Sequence, residues 1–171
     1  MKRAIEYIAL IAILYVSWEL VLAVESYKIG DFSDPVASLY FYSGWISVLC
    51  LSLSFVICNK LKRFCGLLGF IFAIIHIGIF LIIDFNFDFD LIFQDLKSKY
   101  YLYFGIASFL FFACCASLFG VFRFVYYCIY GALFFAILHI FFIQKLITIN
   151  YAISLCVLTC LGVFKLYKSV K

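Results

Sequence analysis

Six apolar stretches, each close to the length of a bilayer crossing, follow one another with little between them, at about 4–24, 38–58, 65–83, 101–120, 124–143 and 146–164. A span needs roughly 20 mostly apolar residues, because a helix advances only about 1.5 Å per residue across a hydrocarbon core about 30 Å thick. Of the 171 residues 68% are hydrophobic and 13% charged, so water is not the main solvent for this chain; ordinary soluble domains carry about 25% charged residues. The sequence therefore predicts an all-α, multi-pass membrane protein: one domain over 1–171, folded as a bundle of six transmembrane helices in contact with lipid. The slightest interruption lies between the fourth and fifth stretches, marked only by Gly120, Arg123 and a shift in character.

Lys and Arg accumulate in loops that stay in the cytoplasm, and this sets the expected orientation. With the N-terminus inside, Lys2, Arg3, Lys60, Lys62, Arg63, Arg123, Lys165, Lys168 and Lys171 fall on inner flanks. Only Lys28, Lys97, Lys99 and Lys145 fall on outer loops, nine against four, and the acidic residues from Glu25 to Asp95 lie outside. Both termini are thus expected in the cytoplasm. The first stretch follows a short basic start, but it is longer than the apolar region of a signal peptide and no small-residue cleavage site follows, so it is expected to be a retained helix. The net charge of +4 is accounted for by the inner flanks and implies no nucleic-acid partner. No pair among the eight cysteines has the spacing of a zinc or iron–sulfur site, and no Cys-x-x-Cys-His offers covalent haem attachment; they are expected to act as small buried hydrophobes.

Ionisable side chains inside a membrane are expensive and mark candidate sites. The chain has two histidines, His76 and His139, both inside expected spans and both within a short repeat, Phe72-Ala73-Ile74-Ile75-His76-Ile77 and Phe135-Ala136-Ile137-Leu138-His139-Ile140. Gly69, Ala73 and His76 share one helix face, and Ala132, Ala136 and His139 share its counterpart. Counted from Arg63 and Arg123, the histidines lie 13 and 16 residues deep, or roughly 20 and 24 Å, so the two imidazoles should be level. Small residues below each would leave a flat slot, and two neutral imidazoles on facing helices suit the axial positions of haem iron. The plainer alternative is that each histidine hydrogen-bonds a neighbouring helix and that the small residues are a packing face.

Other polar residues carry weaker signals. Glu19 sits toward the outer end of the first stretch, within reach of the interface by snorkelling, with a proton or quinone role as the alternative. The loop Asp84 to Leu91 alternates apolar and polar residues before a short helical stretch ending near Lys99, and Tyr100, Tyr101 and Tyr103 fit an aromatic belt. Lys60, Lys62 and Arg63 are orientation signals that could also hold haem propionates or the phosphate of FMN.

Several stretches resemble the MsrQ (YedZ) family, the haem-binding membrane subunit of the periplasmic methionine sulfoxide reductase system, within the ferric-reductase-like transmembrane superfamily. Ser43-Gly44-Trp45 is similar to the family's Thr-Gly-x-Trp, and Lys62-Arg63-Phe64-Cys65-Gly66-Leu67, followed by Phe70, Ala73 and His76, to its Arg-Arg-x-Leu-Gly-Leu run toward a haem histidine. Lys99-Tyr100-Tyr101-Leu102-Tyr103-Phe104-Gly105 resembles Arg-Pro-Tyr-Ile-Thr-Val-Gly, and Tyr130 to His139 resembles the end of the fifth helix. The likeness covers about 40–140. The family's Trp-x-x-x-His at the inner end of the fifth helix is replaced by Phe122 and Tyr126, and its Thr-Pro after the second helix is missing. A phenolate can ligate haem iron, but Tyr126 lies beside Tyr127 and close to Tyr130, as in an inner aromatic belt.

The resemblance implies a b-type cytochrome of the bacterial inner membrane with one haem b toward the outer leaflet, His76 and His139 as its axial ligands, and no second haem at Tyr126. It also implies delivery of electrons to a periplasmic molybdopterin-containing reductase that repairs oxidised methionine. Such a subunit carries electrons and is not itself the catalytic one. The chain has no Gly-x-Gly-x-x-Gly and no room for a nicotinamide or flavin domain, so its donor would be membrane quinol or a separate cytosolic flavin reductase. A ferric-reductase-like subunit with another acceptor, and a redox-inactive structural or transport protein, are the alternatives.

Overall fold

The computed structural model describes residues 35–56, 60–118, 127–143 and 149–170, together with Ile11, Tyr15 and Trp18. Most of the first expected span, Glu19 and Tyr126 lie outside the described residues. The described chain is helical: α1 (Pro35–Val56), α2 (Lys60–Gly78), α3 (Phe89–Ser98), α4 (Tyr101–Leu118), α5 (Cys128–Ile143) and α6 (Ile149–Val170). Pro35 opens α1, where a missing N–H is no loss because first-turn N–H groups lack helical partners. At Gly78 the α2 helix widens without a break into a π-helical stretch, Ile79–Asp84.

Two helices are long and apolar enough to cross a membrane, Pro35–Phe55 and Leu61–Asp84. A third is added if α3 and α4, bent by 108° at the break between them, are counted as one. The apolar helices Cys128–Ile143 and Ala152–Val163 are shorter, and residues 119–126 and 144–148, which flank α5, are outside the described region. Among the described residues the fold is thus all-helical with two or three candidate spans.

The outward surface explains why lipid is the matching solvent. Along α2, Leu61, Phe64, Ile71, Ile75 and Ile82 recur at helical spacing and are all exposed, where a soluble helix would present a polar face. The interior is the reverse, since Ser43, Ser47, Ser52, Ser54 and Ser154 are buried. Two of these hydroxyls are satisfied within their own helix, Ser52 Oγ donating to Val48 O and Ser54 Oγ to Leu51 O.

Packing is closest within two hairpins, α1 along α2 and α4 along α5, while the hairpins meet one another more loosely and α6 lies against α5 and α1. Small groups permit the close approach. A Cβ on Gly69 would come within 3.2 Å of Cys50 Cβ, Leu51 N and Ser47 O of α1, and Ser47 Oγ donates to Gly69 O at 2.9 Å. The core joins Trp45, Leu51 and Phe55 of α1 to Phe112 of α4, Leu133 of α5 and Leu158 of α6.

Candidate functional site

His76 and His139 meet between the two hairpins, with ring centroids 6.4 Å apart and planes at 89°. Each ring is held by the other helix of its own hairpin. His139 Nδ1 lies 2.7 Å from Tyr101 O, which can only accept, so Nδ1 carries the proton. His76 Nδ1 lies 3.0 Å from Ser43 Oγ. That hydroxyl also has Leu39 O at 2.7 Å and Tyr40 O at 3.3 Å as acceptors, and the Tyr40 carbonyl is a further hydrogen-bond partner of the His76 ring, as the Tyr101 carbonyl is of His139. At His139 this leaves the lone pair on Nε2; at His76 the ring is held by Ser43 and the Tyr40 carbonyl together.

Glycines let the rings seat so close to the partner helices. A Cβ on Gly44 would lie 3.2 Å from His76 Cε1 and 3.3 Å from its Nδ1, and one on Gly105 would lie 3.0 Å from both atoms of His139. Tyr40 packs edge-on against His76 at 5.4 Å, and Tyr101 lies 5.7 Å from His139. Tyr40 also donates its hydroxyl to Asp84 Oδ2 at 3.0 Å, tying the end of the π-helical stretch to the site.

These contacts expose a longer repeat than the histidine motif alone. Tyr40, Tyr42, Gly44 and Ser47 on α1 correspond to Tyr101, Tyr103, Gly105 and Ser108 on α4, a Tyr-x-Tyr-x-Gly-x-x-Ser pattern present twice. The structural roles match: Ser47 Oγ donates to Gly69 O, seven residues before His76, and Ser108 Oγ donates to Ala132 O, seven residues before His139. The chain from α1 to α5 is therefore two copies of one hairpin unit, with α3 as the connection between them. Gly44 and Gly105 appear in the sequence as parts of the quoted motifs; the signal that would have singled them out is this first half of the repeat.

The small residues expected to open a slot below the histidines instead close the hairpins. Gly69 sits against α1, Ala132 is fully buried with its carbonyl bonded to α4, Ala136 is buried in the core, and Ala73 packs partly buried against it. The gap between the hairpins is bridged by aromatic side chains, Phe70 stacking on Phe109 at 5.7 Å and lying edge-on to Phe112 at 5.5 Å.

The donor set suits one kind of metal group. Two imidazole nitrogens each about 2 Å from a shared ion put the ring centroids roughly 6 Å apart, close to the 6.4 Å found. Among the described residues no third His, Cys, Asp or Glu joins them to hold a metal ion. A group bringing its own equatorial ligands, as haem does, needs only these two. Of the cysteines, Cys50, Cys65 and Cys115 are buried, but Cys156 and Cys160 are exposed, and Cys128 Sγ approaches Cys114 Sγ to 4.0 Å across the α4–α5 hairpin, a pairing that sequence spacing does not signal. No family model, no curated protein and no solved structure matches this chain.

Proposed function

We propose that the chain is a b-type cytochrome subunit with six spans and cytoplasmic termini, in which His76 and His139 hold one haem and through which electrons cross the bacterial inner membrane. The observation that supports this is the meeting of the two rings between the hairpins, with centroids 6.4 Å apart and each Nδ1 within hydrogen-bond distance of the partner helix of its own hairpin. Ser43 and the Tyr40 carbonyl at His76, and the Tyr101 carbonyl at His139, orient the two rings, the usual task of groups one step behind a metal. Phe70, Phe109 and Phe112 supply apolar surroundings that exclude water. A haem bound there supplies reversible one-electron chemistry. The MsrQ (YedZ) likeness supports the rest: quinol or a cytosolic flavin reductase as donor, and a periplasmic molybdopterin-containing methionine sulfoxide reductase as acceptor.

One observation favours a second role. Both rings already have a hydrogen bond at Nδ1, and aromatic side chains bridge the hairpins beside them, as in a redox-inactive protein whose histidines brace helices. A reduced-minus-oxidised spectrum of the detergent-purified protein, supplied with haem, separates the two. The cytochrome gives Soret and α-band changes that are lost in His76→Ala and in His139→Ala and survive in Tyr126→Phe. An unchanged spectrum with haem present overturns the cytochrome. Labelling of Lys2→Cys and Lys168→Cys from the cytoplasmic side tests whether both termini are cytoplasmic, and an outward-facing site at either one overturns the six-span reading.

A further inference from the structure

We propose that α3 is an in-plane membrane anchor, held in the headgroup boundary of one leaflet by insertion of its phenylalanines. The inference rests on reading α2 and α4 as spans. The connection between the two hairpin units must then run along one bilayer face, from Asp84 at the end of α2 to Tyr101 at the start of α4, and α3 occupies it. Its bend of 108° from α4 sets it nearly perpendicular to that helix, as an element lying in the membrane plane must be.

Its side chains divide as such a position demands. Ile92 is buried and Leu96 half-buried against the protein. Phe89 and Phe93, one turn apart on the adjoining arc, are each 60% exposed. Asp90, Gln94 and Lys97 recur at helical spacing on a third arc and are exposed. A short helix with a phenylalanine edge beside a polar edge is the form that beds into the acyl boundary.

The turn before α3 supplies an independent indication. Asn86 and Phe87 have φ of 46° and 60°. Asn tolerates this left-handed region, but a bulky aromatic rarely enters it. The Phe87 ring is nonetheless exposed, so the strained turn leading into α3 leaves another aromatic surface unburied by the protein. Lipid covers that surface. The segment from Asp84 to Lys99 holds four Asp and two Lys, so apolar insertion, and not attraction to anionic headgroups, is the binding mode.

The test uses the full chain reconstituted in phosphatidylcholine vesicles, reading the Trp emission that each variant adds to the native Trp18 and Trp45 signal. In Phe93→Trp, and again in Phe89→Trp, the added emission should be lost to lipids brominated high on the acyl chain and spared by aqueous iodide. Gln94→Trp should do the reverse. Leu110→Trp, exposed near the middle of α4, should be quenched by bromines deep in the chain. If Leu110→Trp is quenched deep but Trp at 93 and 89 answer only to iodide, the anchor is wrong while α4 still spans; that pattern marks a face open to a water-borne partner. If Leu110→Trp escapes every bromolipid, α4 is no span and the anchor falls with it. Quenching at 93 that appears only once phosphatidylglycerol is added overturns the apolar mode.

Discussion

Adding one methyl group at Gly105 tests whether His139 is seated as tightly as the structure places it. The new Cβ would stand 3.0 Å from Nδ1 and Cε1, where ordinary contact begins near 3.4 Å, so the ring must retreat by several tenths of an ångström. The ring is not free to do so cheaply, because Nδ1 holds Tyr101 O at 2.7 Å. Overpacking of this kind costs about 1–3 kcal/mol, and weakening the hydrogen bond adds up to about 1 kcal/mol. Against this, Ala is favoured over Gly within a helix by about 0.5–1 kcal/mol. Gly66 on α2 provides the control, since nothing lies within 4 Å of a Cβ there and only the helix gain applies. Gly105→Ala should therefore be less stable than Gly66→Ala by about 1–4 kcal/mol, measured by reversible unfolding in mixed micelles. Equal stability of the two variants would refute the close approach, and with it the seating of the ring by α4.

The remaining predictions follow from single contacts. Ser43→Ala removes the hydroxyl that meets His76 Nδ1 and should cost about 1–3 kcal/mol, with the His76 tautomer population shifting in nitrogen NMR while that of His139 stays fixed. Asp88 caps α3 by accepting from Asp90 N and Leu91 N, so Asp88→Ala should lower the amide protection of α3 by about 1 kcal/mol and leave α1 unchanged. Lys99 donates to Asp95 at 2.6 Å, and that bond raises the Lys99 pKa above its ordinary 10.5; its contribution is full below that ordinary value and fades as pH climbs through the raised one. Because the lysine is 44% exposed, Lys99→Met should cost under about 1 kcal/mol and the difference should shrink in high salt. Mild oxidation should join Cys114 to Cys128, whose sulfurs start 4.0 Å apart, and peptide mapping should find that link in preference to one between Cys156 and Cys160.

What was legible in the sequence is what lipid imposes on composition and period. The apolar runs at 38–58 and 65–83 correspond to α1 and to α2 with its π-helical extension, because length and hydropathy alone define such segments. The meeting of His76 and His139 was legible from a repeated motif at matched depth. Which neighbours the small residues meet was not legible, because a one-helix pattern shows which residues share a face, not what that face meets. Gly69 lies against α1, its partner in the hairpin, since a short connection brings that helix closest. The π-helical widening after Gly78 and the left-handed Phe87 have no compositional signature, being consequences of how the chain leaves one hairpin to begin the next.

Duplication accounts for a site that so few polar residues define. Each hairpin unit needs one inward histidine, a glycine opposite it and a hydrogen-bond partner for its ring, and two units face to face then present two imidazoles without further invention. The two units match at the carbonyls of Tyr40 and Tyr101, which bond His76 and His139, and differ at Ser43, which adds a hydroxyl beside His76 where the second unit has Phe104. Packing is tight inside each unit and looser between them, so the separation of the two rings is set by the looser packing between the units. Whatever bridges the two rings therefore also fastens the hairpins together, and its binding should stabilise the bundle by mass action.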